Sequence, residues 1–73
     1  VTQVTGTVVT SGSVATATCP TGVAVGGGWS MANFNTSVSE SKATSAATWS
    51  ITLSGAFSAG NGRTLTAYVL CAA

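Results

Sequence analysis

Apolar and polar residues alternate along most of this chain in short runs, and clusters of Gly, Ser and Asn interrupt them. Period-two alternation sends successive side chains to opposite faces of a strand, and the interrupting residues are turn formers. Val1–Thr10 reads as a strand with Val4, Gly6 and Val8 on one face and Thr5, Thr7 and Val9 on the other. Ser11-Gly12-Ser13 turns into Val14–Cys19, where Ala15, Ala17 and Cys19 share a face. In Pro20-Thr21-Gly22 the proline presets φ and the glycine accepts a positive φ, which predicts a tight turn. Val23–Trp29 is a further strand running through Gly26-Gly27-Gly28, and glycines inside a strand mark a bulge or a segment lying close overhead. A large ring, Trp49 or Trp29, is expected to cover that bare backbone.

Met31–Asn35 reads as a loop, Thr36–Lys42 as a polar edge strand centred on Val38, and Ala43–Ala47 as a connection. Thr48–Leu53 turns Trp49, Ile51 and Leu53 inward. Gly55–Gly62 reads as a hairpin loop ending in the turn dipeptide Asn61-Gly62, and Arg63–Cys71 as the last strand, with Leu65, Ala67, Val69 and Cys71 on one face. Glu, Lys, Gln and Arg are nearly absent, so no stretch favours helix. The pattern predicts one all-β domain over residues 1–73, a disulfide-closed β-sandwich or jelly-roll-like small barrel of about six to seven short strands.

Size and charge narrow the function classes. A 73-residue chain supports one modest core, and domains this small usually need a disulfide, a metal or neighbouring subunits to hold them. Only 4% of the residues are charged, namely Glu40, Lys42 and Arg63, for a net charge of +1. Two cations cannot neutralise a run of phosphates, so nucleic acid is not an expected partner. A cationic interfacial helix and a continuous apolar span are both missing from the sequence, so membrane insertion is not expected. With no His and no Asp, the donors for a closed metal site are lacking, and no cofactor is expected.

Cys19 and Cys71 each end a strand on its apolar face, so an intrachain bridge closing most of the chain is expected. Such a bridge would confer roughly 4 kcal/mol on the chain-entropy model. A bridge between neighbouring subunits stays open at this point. Cysteine use of this kind in a small domain points to an oxidising compartment. Val1 has neither an initiator Met nor a charged leader before it, so the chain is read as a processed product, extracellular or at the cell surface, with its signal peptide removed.

Ser39-Glu40-Ser41-Lys42 brings a hydroxyl, a carboxylate and an amine close in sequence. Strand alternation sets the serines on one face and the charges on the other, and a Glu–Lys pair on an edge strand serves to block unwanted pairing. General acid–base chemistry has no second acid and no His, so the chain is not expected to be an enzyme. Trp29, Trp49 and Tyr68 either fill the core or form a stacking platform for carbohydrate. Asn35-Thr36-Ser37 fits the N-glycosylation pattern.

The run Cys19-Pro20-Thr21-Gly22-Val23-Ala24-Val25-Gly26-Gly27-Gly28, the later Trp49 with Ile51, and Thr66-Ala67-Tyr68-Val69-Leu70-Cys71 together resemble a motif. It is that of small secreted bacterial β-domains with Cys-Pro-x-Gly, Gly-Gly-Gly, Trp and Tyr-Val-x-Cys, found in exported bacterial proteins and some phage tail proteins. The resemblance covers most of the chain after about Thr16. It implies a disulfide-closed β fold with no common chemical activity, and the matching positions are structural.

The function expected from these features is that of a structural subunit that pairs with itself in an extracellular filament, pilus-like fibre or surface layer. Val1, Val4, Val8 and Val9 belong to a strand able to exchange with, or add to, a neighbouring subunit. Net charge near zero favours such association. The alternative is a secreted or phage-fibre binding module that recognises carbohydrate or a surface.

Overall fold

The computed structural model describes residues 1–32, 37–60 and 62–72. Among them are six strands: β1 (Thr2–Thr5), β2 (Gly12–Thr18), β3 (Val23–Ala32), β4 (Val38–Ala43), β5 (Thr48–Phe57) and β6 (Thr64–Ala72). They form two three-stranded antiparallel sheets of order β1-β6-β3 and β2-β5-β4. The sheets pack face to face as a sandwich, and the ten-residue strands β3 and β5 set its long axis of 38 Å.

The core follows the alternation read from the sequence. β2 contributes Ala15 and Ala17, β5 contributes Ile51, Leu53 and Phe57, and β6 contributes Leu65, Ala67, Val69 and Cys71. Ile51 and Leu65 are fully buried, each worth about 1.5–3 kcal/mol of apolar transfer. Alanines on β2 facing larger residues on β6 let the two layers approach closely. Gly22 closes the Pro20 turn with φ +81°, as the sequence predicts.

Cys19, just past β2, is bonded to Cys71 in β6, with Cα atoms 5.8 Å apart. The bridge is intrachain and joins one sheet to the other. Beside it, the β4–β5 connection adds two backbone bonds: the Cys19 amide donates to the Ala47 carbonyl at 2.7 Å and the Ala24 amide to the Ala46 carbonyl at 2.8 Å. The sandwich is therefore fastened at one end by a covalent bond and two hydrogen bonds.

The structure corrects several boundaries. Val1–Thr10 is not one strand: β1 stops at Thr5, and Val9 makes an isolated bridge with Leu65. Val4 pairs with Val69, the Gly6 amide donates to Ala67, and Val9 then pairs with Leu65, so the partners step by two on β6 but by three after Gly6. That extra residue is a bulge, and it turns Val9 toward the core while leaving Val8 exposed, the reverse of simple alternation. Gly6 also passes so close to β2 that a Cβ on it would overlap the Thr16 carbonyl oxygen.

β3 runs on through Met31 and Ala32 rather than ending at Trp29, because Met31 pairs with Leu65 and packs on the core. The rest of the expected 31–35 loop, the Asn35-Thr36 part of the glycosylation pattern, and Asn61 of the turn dipeptide lie outside the described residues. β5 continues through Ser54-Gly55 to Phe57, whose ring is buried, so the loop after it begins at Ser58 rather than Gly55. Burial of Phe57 outweighs the local turn preference of Ser and Gly.

Candidate functional site

The glycine run in β3 has two faces with different uses. Gly27 lies opposite Val69 and so faces the core, where the Trp49 indole from β5 occupies the space a Cβ would take. The Trp49 Nε1 donates to Ser41 Oγ at 2.9 Å, which fixes the ring over the bare backbone. Trp49 therefore supplies the covering ring, and Gly27 is needed for room. Trp49→Phe keeps the cover but strands Ser41, and a loss of about 1 kcal/mol in urea unfolding followed by circular dichroism is expected.

Gly26 and Gly28 lie opposite Leu70 and Tyr68 and face outward. A Cβ on Gly28 would meet nothing within 4 Å. The missing side chains leave an open depression of about 340 Å³ lined by Gln3, Gly27, Gly28, Trp29, Tyr68 and Leu70. Its neighbourhood is apolar: Val23, Val25, Trp29 and Leu70 are all exposed along β3 and the adjoining β6. Val25 is turned out by a bulge between Ala24 and Gly26. Of the three aromatic residues picked out in the sequence, the fold brings Trp29 and Tyr68 to this depression and sends Trp49 to the other side of the sheet. Gln3 joins them through its register opposite Leu70, which no local pattern in the sequence reveals.

The edges of the β1-β6-β3 sheet form a second feature. Hydrogen-bonded and non-hydrogen-bonded pairs alternate along an antiparallel ladder. Gly6 donates to Ala67 and Val9 exchanges both bonds with Leu65, so odd-numbered β6 residues bond to the β1 side. Gln3 and Thr5, opposite Leu70 and Tyr68, therefore turn their backbone groups to the free edge. On the other side, Ala24, Gly27, Trp29 and Met31 pair with odd-numbered β6 residues and turn their backbone groups away from β6. The Ala24 amide does so toward Ala46, as this phase requires. Beyond that contact no further backbone hydrogen bond is made at the β3 edge among the described residues, and β3 carries no charged side chain.

The β2-β5-β4 sheet is guarded at its β4 edge only, and its β2 edge carries no charge. Glu40 and Lys42 project from edge strand β4 and pair with one another at 3.1 Å, both well exposed. An exposed pair of this kind adds little stability, but it hinders pairing at that edge. Ser41 is engaged by Trp49, and the Ser39 hydroxyl donates to the Thr52 carbonyl at 3.2 Å. Ser39 sits in a bulge between Val38 and Glu40. The four residues are thus used in pairing, packing and edge protection. Of the valines assigned to an assembly strand, Val4 and Val9 pack against the chain's own core, while Val1 and Val8 are exposed.

Fold and site together define an all-β, disulfide-closed sandwich module with a glycine-floored depression and two uncharged edges on one sheet. No family model, no curated protein and no solved structure matches this chain. A disulfide is compatible with an extracellular location. Among the described residues, no helix is long and apolar enough to cross a membrane.

Proposed function

We propose that this chain is a structural subunit that assembles with copies of itself into an extracellular filament or surface layer, by joining the free edges of its β1-β6-β3 sheet. The observation that carries the reading is that both edges of that sheet are charge-free, whereas the other sheet has the Glu40–Lys42 guard on one of its two edges. Edges without charge or proline are what a strand-adding interface requires. A net charge of +1 leaves little repulsion between copies. The resemblance to exported β-domains read from the sequence supports the extracellular part of this reading only.

The geometry of such a seam follows from the sheet order. β1 and β3 are both antiparallel to β6 and so run parallel to each other. Sliding one copy along the sheet brings its β1 beside the neighbour's β3, with Gln3 and Thr5 facing Gly27 and Trp29. Two different edges meet, so the contact is head-to-tail and extends without closing. Removing residues 1–9 would also strip β6 of its own partner, so point changes are the cleaner probe.

Thr5→Pro removes an outward-facing donor without touching the bonds to β6, and Val25→Lys puts a charge at the β3 edge. Negative-stain microscopy and analytical ultracentrifugation should show fibres or sheets for the parent chain. Both variants should stay monomeric with an unchanged circular dichroism spectrum. A parent chain that remains monomeric at its highest soluble concentration, or variants that assemble as well as the parent, would overturn the reading.

A further inference from the structure

We infer that the depression over Gly28 is a binding site for a neutral sugar ring, stacked on Tyr68 with Trp29 at its border. The floor is bare backbone: Gly28 has open space above it, and Gly26 meets only the Leu70 side chain at 3.4 Å from where its Cβ would stand. A flat ligand can therefore approach the sheet more closely here than over any residue with a side chain. Two aromatic residues and one leucine line the site, and Gln3 adds an amide at its rim.

The chemistry of this lining selects among ligand classes. A pyranose has an apolar C–H face and a polar edge of hydroxyls. Tyr and Trp offer an apolar body with a polar tip, and can receive both. The Gln3 amide and the Tyr68 hydroxyl have no hydrogen-bond partner among the described residues, so both are available to ring hydroxyls. None of Glu40, Lys42 and Arg63 lines the cavity, which leaves no counter-charge for an anionic or cationic ligand. A volume of about 340 Å³ lies at the low end for small-ligand sites and suits one or two rings.

The site lies on the outer face of the sheet, and its use does not depend on edge-to-edge assembly. The test is isothermal titration of the monomeric Thr5→Pro chain, if the parent assembles, or of the parent otherwise. The probes are five neutral oligosaccharides: cellohexaose, xylohexaose, mannohexaose, laminarihexaose and N-acetylchitohexaose. At least one should bind saturably and quench Trp fluorescence. Tyr68→Ala should weaken that binding at least about tenfold. Gly28→Val should do the same by filling the floor, at a position where an added Cβ would meet nothing within 4 Å. Val23→Ser, outside the lining, should bind as the parent does. No saturable binding to any of the five sugars would overturn the inference. So would binding that survives both Tyr68→Ala and Gly28→Val in folded protein.

Discussion

Replacing Cys19 and Cys71 together with alanine is expected to cost this protein about 4 kcal/mol of stability. The cysteines are 52 residues apart in sequence, and the entropy of closing a loop of that length gives this figure. The expected total for a chain of 73 residues is only about 4–11 kcal/mol, taken from the usual per-residue range. Alanine avoids leaving two thiols in a site where both cysteines are almost entirely buried. Urea unfolding monitored by Trp fluorescence and circular dichroism should show the midpoint falling by several molar, since the slope for a small domain is about 1 kcal/mol per molar. A loss below about 1 kcal/mol would mean that residual structure already constrains the unfolded chain as much as the bridge does.

The second large effect is expected at Gly6, where a single methyl group has nowhere to go. A Cβ there would overlap the Thr16 carbonyl oxygen and stand 3.0 Å from the Ala17 Cβ. The obstacle is backbone in β2, which cannot rotate away as a side chain can. Gly6→Ala should therefore destabilise the fold by about 2–3 kcal/mol through overpacking. Gly28→Ala is the matched control. Its new methyl points into open space, and relief of unfolded-state entropy should make it neutral or stabilising by up to about 1 kcal/mol. The opposite signs of one substitution at two strand positions separate lack of room from intrinsic strand propensity. Equal effects at the two sites would show that the close approach of residue 6 to β2 does not contribute to stability.

Much of the core could be read from alternation alone. Ala15, Ala17 and Cys19, then Trp49, Ile51 and Leu53, then Leu65, Ala67, Val69 and Cys71 all face inward as their spacing predicts. The errors cluster where a strand slips against its partner. Val8 and Val9 exchange faces because one extra residue enters after Gly6, and no local preference distinguishes the two valines. β5 overruns the expected loop because Phe57 reaches a buried position that only the assembled sandwich provides. The depression was partly legible, since Trp29, Tyr68 and the glycines stand out as types. Their sorting into inner and outer positions was not, because the bulge at Val25 shifts the phase of every residue after it.

The placement of the bridge also decides how the molecule carries load. Tension applied at the two ends of the chain enters through β1, passes along β2 to Cys19, crosses to Cys71 and leaves at the far end. Everything between those cysteines, including β3, β4, β5 and nearly all of β6, is bypassed by the covalent path. On the N-terminal side of the bridge, residues 1–18 lie outside the closed loop and can be drawn out, a lead of roughly 60 Å at 3.3–3.6 Å per residue. Stretched from its ends, the molecule is a short compliant tether fixed to a body that does not lengthen.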